Sequence, residues 1–168
     1  MGSTTLVPVR EYLNTSFPDG DRDYVDGRIV ERNVGEVEHA DVQGRIYRYL
    51  CDHYPAFWSG IEVRVQVRPT RFRVPEVILI AGGKPTEAIV TLPPHVAVEV
   101  LSKDDRAEEM QERIDDYLEF GVKAVWVVNP RTRRGYIHTS EGAHEAKDGV
   151  LSVSDPAIAI PLKSLFER

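Results

Sequence analysis

Two glutamates stand where the sequence is otherwise strongly apolar. Glu76 follows Pro75 at the head of the run Glu76–Ala81, and Glu99 lies inside Val96-Ala97-Val98-Glu99-Val100-Leu101. Carboxylates are rarely buried without a partner, and an unpaired ionised one in a strand interior is strongly unfavourable. A divalent cation would compensate both. Oxygen donors from two neighbouring strands, joined by a backbone carbonyl such as that of Val100, suit Mg²⁺ or Mn²⁺. The alternative is a glutamate paired with an internal Arg or Lys.

Cationic groups are clustered as well. Arg64, Arg68, Arg71 and Arg73 fall within ten residues, and Arg131, Arg133 and Arg134 form a second group. Such clusters could position a nucleic-acid backbone through its phosphates, or they are solvated faces of a sheet and a turn. Gly82-Gly83-Lys84 lacks the rest of a phosphate-loop pattern and reads as a hairpin turn. His95 and His138 have no zinc-ligand spacing. Trp126 and Tyr117 suit core packing, and Trp58 suits surface recognition or a dimer contact.

The elements that must hold these residues follow from periodicity and punctuation. Pro8 opens a short helix over Val9–Leu13. Tyr24-Val25 and Arg28–Arg32 flank Asp26-Gly27, a pair that accepts a tight hairpin. Val42, Ile46, Tyr49 and Leu50 recur at helical spacing over residues 40–54, with Pro55 as the stop. From Ile61 to Arg68 apolar and polar residues alternate, the pattern of one strand with its arginines on a single face. Glu76–Ala81 and His95–Leu101 read as buried strands. Ser102, three residues before Asp105, reads as the N-cap of a helix with Met110, Ile114, Tyr117 and Leu118 inward and Gly121 as its end. Val122–Val128 is a further strand, and the order from His95 to Val128 predicts a right-handed parallel crossover. Gly135–Thr139 and Val150–Val153 read as peripheral strands and Pro161–Phe166 as a last helix.

The chain has 168 residues, which fits a single domain over 1–168 with the first five residues loose. With 21 basic and 27 acidic residues the net charge is −6, which argues against unspecific nucleic-acid binding and leaves DNA contact to a local patch. Cys51 is the lone cysteine, so no internal disulfide forms, and a reducing compartment, the cytoplasm, is expected. No apolar run is long enough for a membrane span.

Taken in order, Arg73-Val74-Pro75-Glu76-Val77, Pro93-Pro94, Val98-Glu99-Val100-Leu101-Ser102, Tyr117 with Gly121-Val122, and Val125-Trp126-Val127-Val128-Asn129-Pro130 resemble the Uma family of restriction-endonuclease-like proteins. The resemblance takes in the opening hairpin and His39 and spans nearly the whole chain. It implies the PD-(D/E)xK nuclease core, an α/β (α+β) fold with a mixed β-sheet flanked by α-helices. It further implies a homodimer and metal-dependent hydrolysis of phosphodiester bonds, with DNA as the expected substrate and RNA as an alternative.

Carried onto this chain, Glu76 replaces the motif aspartate and Glu99 is the second acid, both as metal ligands. The motif lysine two residues later is Leu101 here. The lysine that the family often places four residues before the tyrosine is Arg113, which can stabilise developing negative charge but stays protonated and cannot act as a base. Lys103 shares strand parity with Glu99 and is a second candidate. His39 matches a family histidine that could orient water or touch a phosphate, with Glu31 and Glu38 close by; capping a helix is its plainer role. Loss of the lysine keeps a second reading open, an impaired nuclease fold that binds DNA or protein.

Overall fold

The computed structural model describes residues 5–33 and 35–167, so the expectation of a loose terminus falls almost wholly outside them. Helix α1 is Val9–Leu13, and the opening hairpin is β1, Asp23–Val25, and β2, Arg28–Val30. Its turn residues Asp26 and Gly27 have φ of 49° and 93°, as the Asp-Gly pair leads one to expect. The following helix α2 spans Val37–His53, starting earlier than its periodicity predicts, so His39 sits in its first turn rather than before it.

The expected strand from Ile61 to Arg68 is two strands. Strand β3 is Trp58–Ile61 and β4 is Val65–Arg68, with Glu62 between them at a φ of 51°. That left-handed residue turns the chain out of one sheet into another, which alternation alone cannot reveal. Strand β5, Arg71–Arg73, completes the four-stranded antiparallel sheet β2-β1-β5-β4.

The main sheet has the order β10-β9-β8-β7-β6-β3, where β6 is Val77–Ile80, β7 Val96–Val100, β8 Ala124–Asn129, β9 Arg134–Thr139 and β10 Gly142–Glu145. Strands β7 and β8 run parallel and the other neighbours antiparallel, so the sheet is mixed. Helix α3, Ala107–Phe120, makes the predicted crossover from β7 to β8 and ends at Gly121 with a φ of 113°. Ser102 does not cap it. The Asp105 carboxylate instead accepts the Ser102 backbone N–H at 2.7 Å, closing a turn ahead of the helix. A small hairpin of β11, Val150–Val153, and β12, Ile158–Pro161, precedes α4, Lys163–Phe166.

Each face of the main sheet carries one helix. Val42, Ile46 and Leu50 of α2 pack on Val77, Leu79, Val96, Val98, Val100 and Trp126. Met110, Ile114 and Tyr117 of α3 pack on Ile78, Ala97, Val125 and Val127 from the other side. Burial of each large apolar side chain contributes about 1.5–3 kcal/mol. Because side chains alternate along a strand, a residue's parity in β7 decides which helix it meets. Trp58 is half-buried against the α3-side cluster, packed over Gly60, where an added Cβ would lie 2.5 Å from its ring.

Candidate active site

The antiparallel register Val77↔Val98 places Glu76, one step further along, opposite Glu99. Two like charges so placed repel. Each acid is met by a different helix, Glu76 by α2 and Glu99 by α3.

Glu76 is met by α2 and by the chain after β2. Its Oε1 accepts from Arg32 Nη2 at 2.8 Å and lies 3.1 Å from His39 Nε2, while its Oε2 accepts from Gln43 Nε2 at 2.8 Å. His39 and Gln43 are one helical turn apart, so both reach the same carboxylate. Burial works to raise the Glu76 carboxyl, but the His39 hydrogen bond and the Arg32 charge outweigh it and hold it below the usual range. Conversely, Glu76 raises the His39 ring against the effect of burial, and the Val100 backbone contributes in the same sense.

Glu99 is met by α3. Its Oε1 accepts from the Tyr117 hydroxyl at 2.7 Å and pairs with Arg113 Nη2 at 2.9 Å. Its Oε2 is buried and has no hydrogen-bond partner among the described residues. Glu99 is 0% exposed, and burial pushes its carboxyl up to about 7 against the pull of Arg113, with the Glu76 charge adding to the rise. Burial also acts to lower Arg113, but Glu99 and Asp23 overcome it and keep the guanidinium charged.

A buried ion network holds both acids in place. Arg113 donates to the Val74 carbonyl at 3.2 Å, and its Nε lies 3.3 Å from Asp23. Asp23 accepts the Val74 N–H at 3.0 Å and from Arg73 at 3.2 Å. Arg73 donates through Nε to Asp116 of α3 at 2.7 Å, and Arg71 donates to the same carboxylate at 2.9 Å. The peptide leading into Glu76 is thus clamped between the four-stranded sheet and α3.

The sequence-derived candidates part company here. His39 is brought to Glu76 and Arg113 to Glu99. The anticipated internal Glu–Arg pairing is present at both acids. Lys103 is not brought to the site: it is exposed past the end of β7 and pairs with Glu36 at 2.8 Å. Leu101 packs with the α3-side cluster, and the Val100 side chain lies in the core on the α2 side.

The four arginines do not share one free face. Arg64 forks onto Asp21 at 2.7 and 2.8 Å and lies 4.2 Å from the Tyr12 ring centre. Arg71 pairs with the exposed Asp26 and the buried Asp116, Arg73 turns inward to Asp116 and Asp23, and Arg68 pairs with Glu119. The break at Glu62 and the separate strand β5 undo the single-face geometry.

Arg32, Gln43, Asp23 and Tyr117 were not singled out as site residues by sequence. One signal was available: His39 with Gln43, and Arg113 with Asp116 and Tyr117, place polar groups at i, i+3 and i+4 on helix faces that are otherwise apolar. Arg32 and Asp23 carry no such local mark.

A mixed sheet with a parallel crossover, a helix on each face and two opposed acids at the junction of β6 and β7 is a restriction-endonuclease-like nuclease fold. The profile of the Uma2 family, described as "Putative restriction endonuclease", matches residues 9–161, and the chain belongs to that family. Its fold is similar to the crystal structure of a "putative nuclease belonging to DUF820" from Anabaena variabilis ATCC 29413, with a TM-score of 0.76 and 17% identity. That alignment covers 94% of this chain and 96% of the other. No curated protein matches the chain. Among the described residues no helix is long and apolar enough to cross a membrane.

Proposed function

We propose that the protein is a divalent-metal-dependent endonuclease that hydrolyses phosphodiester bonds of DNA, with Glu76 and Glu99 as ligands of Mg²⁺ or Mn²⁺. One observation carries this reading: Glu99 Oε2 is a buried carboxylate oxygen with no hydrogen-bond partner among the described residues, opposite a second acid in a nuclease fold. Among the described residues no three His, Cys, Asp or Glu side chains cluster as a metal cage. Two carboxylates nevertheless fit Mg²⁺, which retains waters and takes further oxygens from substrate phosphates. The Val100 carbonyl is the third protein donor in this proposal.

The bound cation would activate water and polarise the phosphoryl group. The chain's own residues do the rest. Arg113, held by Glu99, the Val74 carbonyl and Asp23, presents a fixed positive charge for the negative charge that develops on the phosphate. Tyr117 orients Glu99 by donating to Oε1. His39 and Gln43 orient Glu76, and His39 can hold a proton beside that carboxylate. DNA contact falls first to Arg68, whose side chain is 46% exposed, whereas Arg64, Arg71 and Arg73 brace the fold. The proposed assembly is a homodimer in the cytoplasm.

A second reading rests on Arg32 and Arg113, which already neutralise both acids: the fold binds nucleic acid or protein without turnover. Nicking of supercoiled plasmid with Mn²⁺, Mg²⁺ or EDTA separates the two, comparing wild type with Glu76→Gln/Glu99→Gln, and RNA serves as the competing substrate. Metal-dependent nicking lost in the double variant is expected. Equal inertness of both proteins, with DNA binding retained, would establish the second reading.

A further inference from the structure

Two arginines neutralise the two acids, but they are held very differently. Arg113 is anchored by Glu99, the Val74 carbonyl and Asp23, all within the interior. Among the described residues Arg32 has one close charged partner, Glu76 at 2.8 Å, with Glu62 more distant at 3.9 Å. Its Nε is buried and donates to nothing among the described residues. It follows β2, an edge strand of the four-stranded sheet, rather than standing on a core element.

Arg32 also stands in the wall between two cavities. One, of about 560 Å³, opens onto Glu76, His39 and Gln43; the other, of about 330 Å³, opens onto Arg113, Asp23 and Arg73. Neither cavity is fully enclosed. A guanidinium whose Nε lacks an acceptor is suited to a phosphate, which offers parallel acceptor oxygens that the single Glu76 oxygen does not. A divalent cation on Glu76 would face the Arg32 charge across one carboxylate, so cation and arginine compete for it.

We infer that Arg32 is a substrate-operated counterion, which neutralises Glu76 in the free protein and is drawn off by a phosphate of the nucleic-acid strand, freeing Glu76 for a divalent cation. The inference rests on the reading of Glu76 as a metal ligand. It makes Arg32 a positioning residue that couples substrate binding to metal binding, and such coupling is reciprocal.

The test is Mn²⁺ affinity, read by electron paramagnetic resonance, for wild type, Arg32→Gln and Glu76→Gln, each with and without a cleavage-resistant phosphorothioate duplex. In wild type the duplex should tighten Mn²⁺ binding by about tenfold or more, within the usual range of coupling between sites. Arg32→Gln should bind Mn²⁺ about tenfold more tightly than wild type without duplex, and the duplex should add little. Arg32→Met, which keeps the packing of the stem, is read in the same way where the glutamine variant does not fold. Equal Mn²⁺ affinity in wild type and the Arg32 variants, with binding abolished by Glu76→Gln, overturns the counterion role alone. Mn²⁺ binding unaffected by Glu76→Gln removes the metal-ligand reading and the inference with it.

Discussion

Glu99 shows how a single residue can tie stability to chemistry. Its carboxyl is raised from about 4.5 to about 7, chiefly by burial, so the folded protein retains a proton that the unfolded chain releases. Where the native state binds more protons, stability falls as pH rises. The Glu99 contribution is therefore fully present below the unfolded value and lost as pH rises through about 7. The raised His39 ring acts in the same direction at the upper end of that window. Urea denaturation between pH 5 and 7.5 should show wild type losing stability with rising pH and Glu99→Gln following a flatter course. Parallel pH dependence in the two proteins would contradict the assignment. The internal arginine that sequence offered as the alternative partner is found at both acids, yet Glu99 Oε2 has no donor among the described residues.

At the scale of elements, α3 has two tasks on one face. Ile114 and Met110 bury apolar area, while Arg113, Asp116 and Tyr117 carry the polar contacts to Glu99 and the four-stranded sheet. Asp116 is the joint, since Arg71 and Arg73 both donate to it and Arg73 is 3% exposed. Asp116→Ala leaves a buried guanidinium without its main partner, a change that costs about 3–5 kcal/mol when a buried pair is broken. Thermal and urea denaturation check this, and a loss comparable to that of an exposed surface pair would show that the network is dispensable. Helix α3 and its Gly121 end were legible because apolar spacing and a left-handed glycine are local signals. Strand β5 and the division at Glu62 were not, because pairing partners distant in sequence select them.

For the whole molecule, the proposed metal links binding to stability. A ligand that binds only the folded state raises stability, by about 2.7 kcal/mol at a hundredfold excess over its dissociation constant. Mn²⁺ should therefore raise the melting temperature of wild type, EDTA should reverse the rise, and Glu76→Gln/Glu99→Gln should show neither effect. An unchanged wild-type melting temperature across saturating Mn²⁺ would count against a metal centre. The amino-acid sequence by itself determined the main helices, the buried strands β6, β7 and β8, the parallel crossover and the two acids, because periodicity, turn residues and a carboxylate in an apolar run are written locally. Only the tertiary structure decided which cation meets which acid. Arg32 reaches Glu76 across 44 positions, and Arg73 reaches Asp116 across 43. Those pairings depend on sheet register and on which face each helix covers, and the same packing removed Lys103 and three of the four clustered arginines from the roles that spacing suggested.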